Sequence, residues 1–206
     1  MKKKLSLSFI SGVIAVIGYL LFTFLAYRLY PLPFSPMTNW LSDLGNVDLN
    51  PNGAIYYNIG IILTASMLLV FFLGLSSWKI EENRVQCIML RLAQIFGGLG
   101  AFCMILSAIF PINNYKIHSF WSTSLYILLS TGFIFSAAAL RYHKSVPVWL
   151  LILGISTAPL VILTKFLPTV YVLEWIVVLI FLAYVSIVGI ETNTVIIETL
   201  PRPARI

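Results

Sequence analysis

Residues 1–27 read MKKKLSLSFISGVIAVIGYLLFTFLAY, a basic start followed by an apolar run from Leu5 to Tyr27. The run exceeds the about 20 apolar residues that a helical span needs to cross the hydrocarbon core. It offers no small-x-small cleavage site, so it reads as a retained first span and not as a signal peptide. That reading sets the class of the whole chain, because similar runs follow it to the end. Sixty per cent of the residues are apolar and only 10% are charged, and mean hydropathy is +0.97. These values describe an all-α, polytopic integral membrane protein.

Working outward, further spans fall at about 55–78, 85–110, 116–140, 146–164 and 169–190, which with 5–27 makes a six-helix transmembrane bundle in one domain. Tyr56, Tyr57 and Trp78 read as interfacial aromatics of the second span. Lys79–Arg84 (KIEENR) is a charged loop, and Pro111–Tyr115 and Arg141–Ser145 are turns. Ala93, Gly97 and Ala101 recur every fourth residue, as do Gly154 and Ala158; small residues at that spacing let helices approach closely. Pro159 frees the carbonyl of Ile155 and kinks the fifth span. Cys87 and Cys103 sit on one helix too far apart to pair, so they say nothing of redox compartment.

The net charge of +6 does not point to nucleic acid, because the basic residues flank apolar runs and form no stripe with interleaved aromatics. With the N-terminus inside, the inner segments carry Lys2, Lys3, Lys4, Lys79, Arg84, Arg91, Arg141, Lys144, Arg202 and Arg205. The outer ones carry Arg28, Lys116 and Lys165. This bias predicts a cell-membrane protein with both termini cytoplasmic.

The one sizeable segment that reads neither as span nor as simple turn is Ser35–Gly53 (SPMTNWLSDLGNVDLNPNG). Ser35 suits an N-cap, Pro36 the first helical position, and Gly45 a C-terminal stop. Met37, Trp40, Leu41 and Leu44 share one helical face; Thr38, Asn39, Ser42 and Asp43 share the other. This predicts a short interfacial helix over 35–45 in the first extracytoplasmic loop. Asn50-Pro51-Asn52-Gly53 is turn chemistry.

Ionisable groups within spans are costly and so mark candidate sites. His118 enters the fourth span, and Ser122, Tyr126 and Ser130 follow at intervals of four, making a polar stripe. Glu174 lies within the sixth span, Ser107 near the outer end of the third, Asn58 just inside the second, and Ser42 and Asp43 on the loop helix. All belong to the extracytoplasmic third. Glu81, Glu82, Arg84 and His143, at the opposite end, read as solvated loop residues. Each candidate also has a structural role open to it: His118 as a helix-end anchor, Glu174 paired with Lys165, Asp43 as a surface charge. Together, Asp43, His118 and Glu174 are catalytic candidates for acid–base work, and Ser42, Asp43, Asn58, Ser107, His118, Ser122 and Tyr126 are ligand-binding candidates. A divalent metal at Asp43, His118 and Glu174 is the alternative, although no HExxH, HxxxH or CxxC spacing supports it and no cofactor is evident.

The order of these motifs is informative. A first span, then Ser42-Asp43-Leu44-Gly45 with an Asn50-Pro51 turn, then Asn58-x-Gly60, resembles the prokaryotic membrane family called domain of unknown function 998. The Phe110-Pro111 turn followed by His118 is similar to that family's second block. The layout is also distantly similar to the six-span group of autophagy-modulator and GPI-remodelling proteins. The resemblance spans Met1–Leu140 and implies six helices with a polar outward-facing site, but no established reaction. Three functions follow as expectations: binding of a lipid headgroup or small amphiphile, a hydrolase or transferase acting on a lipid or lipid-linked substrate, or an accessory subunit of a membrane complex. Membrane lipids are the expected partners, with a partner subunit or a second copy also open, and no nucleic acid.

Overall fold

The computed structural model describes residues 5–143, 145–167 and 169–199, without the side chains of Lys165 and 194–199. They form six α-helices and no strand: α1 (Leu7–Arg28), α2 (Ala54–Gly74), α3 (Arg84–Ile109), α4 (Tyr115–Leu140), α5 (Val148–Phe166) and α6 (Val172–Thr199). Five stretches are long and apolar enough to cross a membrane, and Val148–Thr164 is a shorter apolar helix. The chain is therefore a multi-pass membrane protein. Its helix starts follow elementary capping: Ser6 Oγ accepts from Phe9 N–H and Asn83 Oδ1 from Gln86 N–H. Lys2, Lys3, Lys4, Lys144, Arg202 and Arg205 lie outside the described residues.

Each helix packs on its neighbours in sequence, and α6 closes back on α1, so the six form a ring. The most extensive contact joins α3 to α4, and the small residues explain it. A Cβ on Gly132 would lie 2.8 Å from the Gly97 nitrogen and 2.9 Å from its Cα. A Cβ on Gly100 would lie 2.8 Å from the Leu129 nitrogen. On α5, a Cβ on Gly154 would lie 2.7 Å from that of Ala137. One half of the ring's interior is filled by aromatics. Phe133 stacks on Phe72 with centroids 5.9 Å apart and meets Phe181 edge-on at 4.9 Å and Tyr184 at 4.5 Å. Tyr184 and Ser136 share a buried 2.7 Å hydrogen bond, and the tyrosine hydroxyl also donates to the Phe133 carbonyl.

Three local readings are corrected. The helix over 35–45 forms only as one turn and a separate 3-10 helix, Leu41–Gly45. Ser35 O does accept from Thr38 and Asn39 N–H, but Asn39 Oδ1 folds back onto Ser35 N–H and Trp40 is extended (φ −65°, ψ 146°). Such local side-chain bonds compete with helix propagation. The N–H of Leu41, which a continuous helix would give to Met37, goes instead to Glu174. Gly45 is no left-handed stop, since no described residue has positive φ; its missing Cβ would collide with Asn58 Oδ1 at 2.5 Å and Tyr57 Cδ1 at 2.8 Å.

Trp78 and Tyr57 are not interfacial either. Trp78 ends a 3-10 extension of α2, is fully buried, and donates to Thr192 Oγ1 at 2.7 Å. His143 is not a solvated loop residue. Its Nε2–H donates to the Trp78 carbonyl at 2.8 Å, which also accepts from Gln86 Nε2 at 2.9 Å, and its ring meets that of Trp78 edge-on.

The Gly97–Gly132 crossing yields a direct test. Gly132→Ala forces backbone apart, not a flexible side-chain tip, so it should destabilise the bundle by about 1–3 kcal/mol. A lowered melting temperature in detergent is expected; an unchanged one would show that α3 and α4 do not cross this closely.

Candidate functional site

The loop between α1 and α2 is fastened to the bundle at many points. Glu174 Oε2 accepts from Leu41 N–H at 2.6 Å, and the same carboxylate accepts from Ser42 N–H. Trp175 Nε1–H donates to the Asn39 carbonyl at 3.1 Å, Trp40 meets Tyr171 edge-on at 4.9 Å, and Phe34 packs on Trp175. Asn113, in the turn before α4, accepts from Val47 N–H at 2.9 Å and donates to Asp48. Asn58 Nδ2 donates to the Gly45 carbonyl at 3.0 Å. Asn50 is fully buried, and its Nδ2 donates to the Ala26 carbonyl of α1 at 3.1 Å and to the Leu44 carbonyl at 2.9 Å. The turn residue of the sequence reading is thus a cross-tie, which a turn motif does not announce.

Beneath this loop lie two cavities. The inner one occupies the ring's open half and holds about 850 Å³ of space including its mouth. Its wall is mostly apolar and ends on Leu129, Phe133 and Phe181. The second, about 1080 Å³ on the same basis, lies between α4, α5 and α6 and is more polar, adding Tyr115, Ser119 and Thr164. The two meet at a shared wall of Ser42, Ile112, His118, Ser122, Tyr126 and Glu174.

The His118–Ser122–Tyr126 stripe therefore faces the cavities as its four-residue spacing predicts. His118 Nδ1 lies 3.0 Å from both the Ser107 and the Phe110 carbonyls. Carbonyls only accept, so Nδ1 carries the proton, and in the neutral ring Nε2 is left as an acceptor. Tyr126 donates to Glu174 Oε1 at 3.3 Å. Glu174 stands in the first turn of α6, where a carboxylate complements the helix dipole. Asn58 and Ser107 line the inner cavity, with Asn58 Nδ2 committed to Gly45. Ser130 is buried away from both cavity walls, and its hydroxyl has no hydrogen-bond partner. Two further phenols belong to the inner wall: Tyr19, unmarked in the sequence reading, and Tyr57, read there as interfacial; they are hydrogen-bonded to each other. A tyrosine hydroxyl in mid-span needs a partner, and that was the available signal.

Asp43 does not join them. It lines neither cavity, and its Oδ2 accepts from Trp40 N–H at 3.0 Å, holding the loop's own turn. Among the described residues no three His, Cys, Asp or Glu side chains form a metal-holding group, so the metal set Asp43, His118 and Glu174 is not assembled. The pairing of Glu174 with Lys165 falls on a side chain outside those described.

A ring of apolar helices, with a two-part cavity beside its own first loop, defines a multi-pass membrane protein. The chain belongs to the family described as protein of unknown function, DUF998, whose model matches residues 13–191. That range extends beyond Leu140, where the recognisable motifs end, and takes in Glu174. No curated protein and no solved structure matches the chain, the autophagy-modulator and GPI-remodelling group included.

Burial holds the Asp43 carboxyl above its usual 3.8, with the Trp40 N–H and the Asn39 side chain opposing the rise. A value raised in the folded state means that the folded chain binds the extra proton. This group's contribution is then present below the usual carboxylate value and is lost as pH rises through the raised one. Asp43→Asn keeps an acceptor for Trp40 and removes the titration. Its melting temperature in detergent should fall less than the parent's as pH rises from about 4; parallel profiles would sink the assignment.

Proposed function

We propose that this chain is a six-span cell-membrane protein that binds a lipid headgroup or small amphiphile in the two-part cavity. The polar end sits at the shared wall of His118, Ser122, Tyr126 and Glu174, and the apolar part enters the chamber ending on Phe133. The observation that carries this reading is the junction itself: an apolar chamber and a polar one meet at a single set of side chains. An amphiphile has that same division, and apolar walls with a few placed polar groups are what small-molecule sites require.

In this reading α5 is the fifth of six spans, short but completed by its flanks. The lysine and arginine distribution puts both termini in the cytoplasm and the covering loop outside. Asn52 is exposed in the turn that leads into α2. In a chain with Cys87 and Cys103 replaced by serine, Asn52→Cys should react with an impermeant maleimide added to intact cells. Labelling only after the cells are opened would reverse the orientation.

Occupancy can be measured by native mass spectrometry of protein released from mild detergent. Ala108 lines the inner cavity and is nearly buried, so Ala108→Leu should fill part of it. Co-purifying amphiphile should fall at least about tenfold, the equivalent of 1.4 kcal/mol. Ile95→Phe, on the outward face of α3, should leave it unchanged. Equal occupancy in parent and Ala108→Leu would overturn the reading. The fixed tautomer of His118 favours a second reading, a hydrolase or transferase with Nε2 as base. The same spectra separate the two, since an enzyme leaves product alongside ligand.

A further inference from the structure

Resting on the amphiphile reading, we infer that the polar end of the ligand is an ammonium cation: the site is built for a single-chain amphiphilic amine, not for a phosphate-bearing headgroup. Charge complementarity at the junction carries this. Among the described residues, no lysine or arginine lines either cavity, whereas the carboxylate of Glu174 lines both. A phosphate or sulfate would need cationic or clustered N–H donors. Here the Leu41 and Ser42 N–H groups are already given to Glu174.

The carboxylate, by contrast, has capacity to spare. Its donors are the Leu41 and Ser42 N–H groups and the Tyr126 hydroxyl, the last at a long 3.3 Å, while an ionised carboxylate has about four acceptor positions. The ion pair found among the described residues, Lys79–Glu81, belongs to an exposed loop elsewhere, so Glu174 has no cationic partner there. An ionised carboxylate within a span ordinarily finds one.

The surroundings of Glu174 suit a cation further. Tyr126 touches it directly, and Tyr19 and Tyr57 lie within range of its charge. All three rings stand in the wall of the inner cavity. Their phenol oxygens are further acceptors for an ammonium N–H that enters beside the carboxylate. His118 offers an acceptor at Nε2 in its neutral form, and an ammonium N–H is a matching donor. From this polar end the inner cavity continues apolar to Phe133, the path for one alkyl chain.

Dodecylamine, dodecyltrimethylammonium, dodecanol and dodecyl phosphate are compared at equal mole fraction in maltoside micelles, with occupancy read by native mass spectrometry. The two cations should occupy the parent protein at least about tenfold more than dodecyl phosphate. Glu174→Gln keeps an acceptor for Leu41 and should reduce that preference to about threefold or less, with dodecanol as the neutral reference in each protein. Dodecyl phosphate or dodecanol matching the amines in the parent would overturn the ammonium assignment while leaving amphiphile binding intact. Binding of none of the four would overturn both. Selectivity in the parent does not depend on any variant folding. Lys165 follows Thr164 of the second cavity, so Lys165→Gln is the second variant. An amine preference that appears only there would mean that the native site already holds its own cation, which also overturns the assignment.

Discussion

The hydrogen bond from Leu41 N–H to Glu174 Oε2 at 2.6 Å, across 133 residues of sequence, is the tie between loop and bundle that sets the loop's conformation beside the cavity. It takes the donor that would have continued a helix beyond Trp40 and leaves the loop as a short turn and a 3-10 helix. It also draws Ser42 to the cavity wall and holds the carboxylate in place from one side. With Oε2 so occupied, Oε1 is the oxygen with room for another donor. Charge-assisted bonds of this kind are shorter and stronger than neutral ones, which makes Glu174 an anchor for the backbone and a functional group at once.

The cavity exists because the helix ring is packed unevenly. On one side small residues bring backbones together, with Gly97, Gly100 and Gly132 between α3 and α4, and Phe72, Phe133, Phe181 and Tyr184 fill the centre. Nearer the loop the rings of Tyr19, Tyr57 and Tyr126 stand in the wall, and polar side chains from α4 and α6 line the space with them. In a bilayer, helix association relies on packing and hydrogen bonds and not on a hydrophobic difference from lipid. A ring fastened tightly in one half can therefore stay open in the other.

The helices were legible because apolar runs bounded by charges, Pro and Gly are a strong signal; α3 and α4 agree with the expected 85–110 and 116–140 to within about a residue. The stripe from His118 to Tyr126 was legible for the same reason, since periodicity survives folding. What failed was local inference where a distant partner decides. Ser35 opened a turn as expected, yet Glu174, far along the chain, ended it. Gly45 looked like a helix stop and is a contact surface for Asn58 and Tyr57. Trp78 and His143 sat where interfacial residues sit, but bonds to Thr192 and to a shared carbonyl draw them inward. Asp43 seemed to belong with His118 because both were polar and at one end; its carboxylate serves Trp40 instead.

The two ends of the bundle pair their polar groups differently. Around Trp78 the polar groups satisfy one another: its indole N–H goes to Thr192, and its carbonyl accepts from both Gln86 and His143. Every partner there is protein, the groups are packed, and fixed polar contacts of this kind rigidify the fold. Beneath the loop the chemistry is similar, a histidine on carbonyls and a hydroxyl on an acceptor, but it is arranged around space. His118 uses one ring nitrogen on the protein and Glu174 leaves one oxygen lightly engaged. Buried polar groups are ordinarily paired, so partial pairing beside a cavity leaves places for groups that the chain itself does not supply.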